Sequence, residues 1–538
     1  MILPVAQLKK KMPSKEDFIE RAFCPKNGIV DMLLIFPPTT VAERYGKNSV
    51  GDAGGDLPPL GISYIASYLQ EQNFGVGILD CCALGLTFDE IVKAIRDKDA
   101  KTIGISATTF ALPTTVKLAE RLRSEFPHKL IILGGAHANA VPLHPVQNYD
   151  CFDVIVFGEG EITCVAILEE LRKKEWQREG FMADEAMLQR MDGIVFKKKD
   201  GTIVKTATRP IIQDLDSLPM PARELLPVEK YIPLPNQYKR TPIAHMVVIR
   251  GCPFICSFCD QANTRARTTS PKRAVEEMKS LVDKYGVREI SFWDDTMTYN
   301  KKWMAEFCQR LMDAHLDVIW SCYAAMRTID QPVLKMMKEA GCWNIFYGIE
   351  TGHPELMKNI QSDRKNRDAS YIREVMKWTK EAGIEVRGSF MIALPGETPE
   401  MAEENIKFAI ELDPEYAQFS ITTPYPGTIL YNQIKEGKWG RLTTEDFSEY
   451  QGWNIVFLPE AYKTKEEVWK LEKKAFRKFY FRPKFILKKV MALRSWEDIR
   501  RYFKGMMLLL NGFVYGPMPD RIRAVTGRNL QESLKTSA

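Results

Sequence analysis

Arg250-Gly251-Cys252-Pro253-Phe254-Ile255-Cys256-Ser257-Phe258-Cys259 carries three cysteines in a C-x3-C-x2-C pattern. The apolar run 246–249 just before it reads as a strand, so the cysteines fall on the loop that leaves that strand. Three thiolates at this spacing can wrap one corner of a cubane cluster, each ligating its own iron. The fourth iron then has no ligand from this loop and stays open. A structural zinc site asks for a fourth Cys or His close by, and the next cysteine along the chain is Cys308. Cys252, Cys256 and Cys259 are therefore the expected ligands of a [4Fe-4S] cluster.

Downstream of this loop the chain repeats a strand–helix pattern. Strands are expected at 246–249, 289–293, 318–322, 344–348, 385–392 and 417–422. Amphipathic helices at about 272–285, 301–313, 331–340, 369–382 and 399–411 separate them. Six such repeats over 241–440 predict an open, partial (β/α)6 barrel whose active residues lie at the carboxyl ends of its strands. Upstream, 29–175 alternates Val/Ile/Leu runs (29–36, 76–79, 102–106, 129–133, 154–157) with helices. The runs lack polar alternation, which predicts a parallel sheet covered on both faces, a doubly wound, Rossmann-like α/β domain. Residues 1–28 are an N-terminal extension. Residues 176–240 hold a hairpin turned at Asp200-Gly201 and a Pro-rich linker. The remainder, 441–538, reads as a mainly helical, basic C-terminal domain.

A chain of 538 residues exceeds what one core accommodates, so two or three domains are expected. Its 45% hydrophobic and 27% charged residues are those of a globular protein. A net charge of +6 does not argue for nucleic acid, and no such partner is expected. Eleven cysteines, an odd number, favour reduced thiols or cluster ligands over a disulfide framework. No run reaches the roughly 20 apolar residues of a membrane-spanning helix, and the polar start does not read as a secretory signal. A cytosolic location is the expectation.

Further motifs follow the cysteines in order. Asp294-Asp295 ends the second barrel strand, Arg327 follows the third, Glu350 ends the fourth, and 388–398 (GSFMIALPGET) completes the fifth. Alone, an Asp pair reads as a helix cap and Leu-Pro-Gly as a turn. Over 240–440 the sequence resembles the radical S-adenosylmethionine (SAM) superfamily, where the open iron chelates SAM and one electron releases a 5′-deoxyadenosyl radical. The resemblance implies SAM contacts from Phe258, Asp294, Asp295 (amino group), Arg327 (carboxylate), Glu350 (ribose), and Gly388, Ile392 and Leu394 (adenine). Ala393 stands where glycine is commoner in that family.

The strand ends of the first domain are small or hydroxylated: Ser106-Ala107-Thr108-Thr109, Gly134-Gly135-Ala136-His137 and Gly158-Glu159-Gly160-Glu161. With Pro37-Pro38 and Pro58-Pro59-Leu60-Gly61 they resemble the cobalamin-binding domain of B12-dependent radical SAM enzymes. Contacts to cobalamin are thereby implied for Ser106, Thr108, Thr109, Gly134, Gly135, His137, Gly158, Glu159 and Gly160. The Asp-x-His-x-x-Gly motif of other cobalamin domains is missing and the spacing of His137 does not match it, which implies a cobalt without a lower-face histidine.

The class resembled includes C-methylating class B enzymes and the anaerobic magnesium-protoporphyrin monomethyl ester cyclase. It implies hydrogen abstraction from an unactivated carbon, with methyl transfer from methylcobalamin as the leading reaction. Cyclisation, oxidation or rearrangement, and a non-catalytic cobalamin or redox sensor, remain open. Partners expected are a small-molecule or lipid-like substrate and an electron donor such as ferredoxin or flavodoxin. Tyr425, ending the sixth strand, is a candidate lining residue of the substrate pocket. Segment 473–504 interleaves basic residues with Phe476, Phe479, Tyr480, Phe481 and Phe485. It reads either as a capping helix with a solvated basic face or as a peripheral contact with an anionic membrane.

Overall fold

The computed structural model describes residues 13–23, 28–39, 55–452 and 454–507, except 492, 494–498 and 501. The ends of the N-terminal extension and of the expected C-terminal domain lie outside the described residues. Strands β1 (Met32–Phe36), β2 (Val76–Asp80), β3 (Thr102–Ser106), β4 (Leu130–Gly134) and β5 (Val154–Val156) pair in parallel in the order β2-β1-β3-β4-β5. Alternate residues of β1 enter opposite cores, as the strand period requires. Leu33 and Ile35 pack with helices Phe88–Lys98 and Leu112–Glu125. Met32 and Leu34 pack with Leu60–Glu71 and Gly160–Lys173. The order of this doubly wound sheet reverses beside β1, which opens a crevice beyond the strand carboxyl ends.

The first sheet extends past the boundary expected at 175. β6 (Ile194–Lys197) and β7 (Ile203–Lys205) join it antiparallel at the β5 edge. The hairpin assigned to the linker therefore belongs to the sheet, because Ile194, Val195 and Phe196 are fully buried there. Helix Lys15–Ala22 of the N-terminal extension also docks, burying Phe18 and Ala22. The Pro-rich linker adds Ala222, Leu225, Leu226 and Tyr231 to the same domain.

In the second unit six strands run parallel in the order β15-β14-β13-β12-β11-β8: β8 (Ile243–Met246), β11 (Glu289–Phe292), β12 (Ile319–Ala324), β13 (Cys342–Glu350), β14 (Glu385–Ile392) and β15 (Tyr416–Ile421). The first barrel strand thus ends at Met246 rather than spanning 246–249. The Asp294 carboxylate takes the N–H groups of Val248 and Ile249, both at 2.6 Å, so these residues leave the ladder. The chain then forms a small hairpin from β9 (Ile249–Arg250) and β10 (Arg267–Thr268).

The C-terminal segment adds β16 (Gly440–Leu442), paired with β17 (Phe457–Pro459), and helix Lys465–Tyr480. It is not a separate domain within the described residues: Val468, Leu471, Ala475 and Phe479 lie inside the barrel core. Tyr480 caps the open barrel edge, its hydroxyl donating to Ala417 O at 2.7 Å and accepting from Ala417 N at 3.1 Å. Much of the basic face meets barrel carboxylates: Lys474 and Lys478 on Glu403, Arg482 on Asp413, and Lys488 on Glu415. Among the described residues, no helix is long and apolar enough to cross a membrane.

Candidate active site

Because β9 and β10 pair in register (Arg250 with Arg267), the cysteine loop is a hairpin loop held at both stems. Gly251 sits at φ +89°, where a Cβ would lie 2.5 Å from the Arg265 carbonyl oxygen, so the close crossing of the stems requires glycine. Thr264 closes the loop: its hydroxyl accepts from Cys252 N at 2.8 Å and donates to Gln261 O at 2.7 Å. Backbone bonds from Ser257 N to Ile360 O (2.9 Å) and from Leu430 N to Ser257 O (2.8 Å) tie the loop to the end of helix Pro354–Asn359 and the start of helix Ile429–Lys435. Phe258 packs against Leu356, Ile360, Met391 and Leu394.

Cys256 is buried, with Cys252 and Cys259 half-buried beside it. Burial pushes the thiol of Cys256 up despite the nearby Lys365 cation, and that of Cys259 up to about 12. Thiolates here need strong positive charge, which cluster irons supply. Among the described residues no three His, Cys, Asp or Glu side chains converge as a single ion would require; a cubane, with one thiolate per iron, makes no such demand. The residues present fit a [4Fe-4S] cluster.

The residues expected around SAM separate into groups. Glu350, at φ +65°, is buried and paired with Lys365 at 2.9 Å. Ala393 adopts φ +60°, which explains why glycine is common at this position. Its N–H donates to Glu397 at 2.6 Å, and Tyr462, from the C-terminal segment, donates to the same oxygen at 2.7 Å. Ile392 and Leu394 are buried, and their carbonyl oxygens already accept from Thr422 N and Glu397 N, both at 2.9 Å. Gly388 lies mid-strand against Ile349 and Phe390, short of the strand's end. Asp295 accepts from Gly251 N at 3.2 Å and reaches the cavity described below. Asp294 instead faces the backbone of Val248 and Ile249, and Arg327 is turned to solvent, donating to Asp363 O at 3.2 Å. The reason is local in both cases: unpaired strand-end N–H groups capture Asp294, and the turn 326–328 carries Arg327 outward.

Between the two units lies a cavity of about 690 Å³. Ser106, Gly134, Gly135, Gly158, Glu159 and Gly160 line it from the first domain. Gly251, Asp260, Gln261, Thr264, Trp293 and Asp295 line it from the second. Gly135, at φ +95°, brings its backbone so close that a Cβ would stand 2.7 Å from Ser106 Oγ and 2.8 Å from Ala107 N. A glycine-built floor of this kind admits the flat ring and tail of a corrinoid, so the residues fit cobalamin. Thr108, Thr109 and His137 are not among the lining residues. His137 is fully buried, 3.3 Å from both Thr109 Oγ1 and His144 Nδ1, with Phe447 against its ring; burial lowers its pKa to about 3. Tyr425 also lies off the lining, its hydroxyl donating to Tyr450 O at 3.1 Å. Sequence reasoning missed Arg250, Arg267, Tyr64 and Asn139, all in the lining. Only Arg250 carried a signal, its place at the head of the cysteine motif.

The family model for the B12 binding domain matches residues 46–168, and that for the radical SAM superfamily matches 246–409. The chain is 34% identical over 488 residues to the uncharacterized methyltransferase PH0819 of Pyrococcus horikoshii, covering 89% of this chain and 98% of that protein. It is 26% identical over 471 residues to the anaerobic magnesium-protoporphyrin IX monomethyl ester cyclase of Rubrivivax gelatinosus, covering 86% and 80% respectively. Among solved structures, the cobalamin-dependent SAM radical enzyme OxsB superposes with a TM-score of 0.66 at 14% identity, covering 94% of this chain and 75% of that one. Fold and site thus define a radical SAM enzyme with a B12-binding domain, and the chain belongs to the cobalamin-dependent radical SAM methyltransferase family.

Proposed function

We propose that this enzyme transfers a methyl group to an unactivated carbon of a small-molecule substrate. The observation that carries this reading is the shared cavity, walled on one side by strand-end glycines and on the other by the cysteine loop. When bound, the cluster with SAM supplies a 5′-deoxyadenosyl radical, and the corrinoid supplies the methyl group. Cys252, Cys256 and Cys259 hold the cluster, and Phe258 and Glu350, beside the strand-end turn at 392–394, hold SAM. Ser106, Gly134, Gly135, Gly158 and Gly160 cradle the corrinoid. Trp293 and Gln261 line the cavity on the side of the cysteine loop. The electron comes from a donor of the ferredoxin or flavodoxin type.

Likeness to a protein named a methyltransferase supports methyl transfer, and likeness to a cyclase supports a second reading, ring formation without methyl transfer. The anaerobically reconstituted enzyme, given methyl-deuterated SAM, reductant and a small-molecule extract, tests both. Methyl transfer predicts a deuterated product, with S-adenosylhomocysteine formed alongside 5′-deoxyadenosine. 5′-Deoxyadenosine without S-adenosylhomocysteine selects ring formation. An intact cluster that cleaves no SAM selects a sensor.

The C-terminal segment supports a peripheral contact with an anionic membrane, which would deliver a lipid-like substrate. Helix Pro483–Met491 exposes Ile486, Leu487, Val490 and Met491, and Phe503, Met506 and Met507 are exposed beyond it. Apolar side chains beside lysines suit an interfacial helix. Sedimentation with phosphatidylserine vesicles is expected to retain the protein at low salt and less of it at high salt. No retention at either sinks the contact.

A further inference from the structure

We propose that two carboxylates of the first domain and two guanidinium groups of the second form a positioning clamp that sets how the cysteine loop faces the corrinoid cavity. Glu159 and Glu161 lie where the chain leaves β5 and enters helix Gly160–Lys173. Arg250 ends β9, two residues before Cys252, and Arg267 opens β10 as its cross-strand partner. The guanidiniums therefore project from the two stems of the cysteine hairpin. Arg250 donates to Glu159 at 3.1 Å and to Glu161 at 2.7 Å. Arg267 reaches both oxygens of Glu159, at 2.9 and 3.1 Å, and also donates to Ile212 O. The N–H of Ile212 donates back to Glu159 at 2.6 Å. All four side chains line the cavity and none is more than 21% exposed.

Stability alone is a poor reason for such a cluster. Buried ion pairs roughly break even against apolar packing, and their best-attested use is to fix one register among alternatives. Here they join the elements assigned to the two cofactors. The arginine forks are planar and directional, so they hold an angle as well as a distance. Arg250 also lies 5.3 Å from the ring centre of Tyr64, another cavity residue, which restrains it from a third side. The clamp acts through the loop it holds and does not itself enter the chemistry.

The proposal rests on both cofactors being bound, and its test reads geometry rather than turnover. Full-length protein, reconstituted with cluster and hydroxocobalamin and then reduced, is examined by pulsed EPR for the dipolar coupling between cob(II)alamin and the reduced cluster. Glu161→Gln and Arg250→Lys are expected to shift and broaden the distance distribution while iron content stays at the wild-type level. Loss of corrinoid from a variant that keeps its cluster also supports the clamp. Glu159→Gln serves where Glu161→Gln does not accumulate, and Glu445→Gln, which breaks only an exposed pair with Lys435, is expected to leave the spectrum unchanged. Wild-type spectra in the clamp variants overturn the clamp alone. Wild-type protein that retains iron but no corrinoid removes the clamp together with the cofactor reading.

Discussion

Asp294 is 3% exposed, with one carboxylate oxygen accepting two backbone N–H groups and the other unpartnered. Burial pushes its carboxyl up to about 8, against the lowering effect of those two bonds, so the folded protein keeps it protonated near neutrality. In the unfolded chain it ionises near the ordinary value of about 4. Between these values unfolding releases a proton, so this group's contribution to stability falls as pH rises through roughly 4 to 8 and is level above. Asp294→Asn keeps the acceptor and places an amide where the acid proton sits. Free of the ionisation penalty that wild type carries, it is expected to gain on wild type between pH 5 and pH 8 and so to flatten the stability–pH profile. Asp294→Ala, which leaves both N–H groups unpaired, costs about 1–3 kcal/mol relative to the asparagine variant. Urea unfolding at pH 5 and pH 8 measures both. Glu397, pushed by burial up to about 7, titrates in the same window and leaves part of the slope in place. The aspartate pair was visible in the sequence as a strand-end motif. That one carboxylate would serve the backbone and the other the cavity was not, since adjacent residues on an irregular loop carry no periodicity that assigns a face.

At the scale of elements, the loop after β14 is held in a left-handed turn by a bond network that begins outside it. Tyr462, 65 residues further along, donates to the Glu397 oxygen that also receives the Ala393 N–H. Tyr462→Phe removes that donor and leaves the ring in place. A lost bond of about 0.5–1.5 kcal/mol predicts a rise of roughly two- to tenfold in KM for SAM. The rate of 5′-deoxyadenosine formation at saturating SAM is expected to change little, and initial-rate measurements at varied SAM separate the two. The GSFMIALPGET stretch was legible as a motif, but the left-handed conformation of Ala393 within it was not. Its support from the C-terminal segment was not legible, because the sequence read that segment as a separate domain. The apolar positions of helix Lys465–Tyr480 show that it has a buried face but not which core receives it.

For the whole molecule, the glycine floor of the cavity and the barrel that carries the cysteine loop rest on separate apolar cores, so loss of one cofactor is expected to leave the other bound. Cys256→Ala is expected to abolish cluster absorption and 5′-deoxyadenosine formation while corrinoid retention persists. Gly135→Ala does the reverse: strain of about 1–3 kcal/mol at a positive φ, with a methyl against Ser106 and Ala107, weakens corrinoid retention by about tenfold or more and spares the cluster. Iron and corrinoid quantified on desalted, reconstituted protein check both outcomes. Concerted loss of both cofactors in each variant would contradict their separate retention.

What the sequence determined by itself was local: the three-cysteine spacing, the strand–helix alternation of both units and the glycine-rich strand ends. Each is set by neighbours within a few residues, through ligand reach, side-chain period and backbone freedom. Tertiary structure decided which side chains meet. Glu159 finds Arg250 across 91 residues, and Lys474 finds Glu403 across 71. Any arginine or lysine can pair with any glutamate, so charge alone leaves the partner undetermined until the packing of two sheets and a capping helix brings particular atoms within reach.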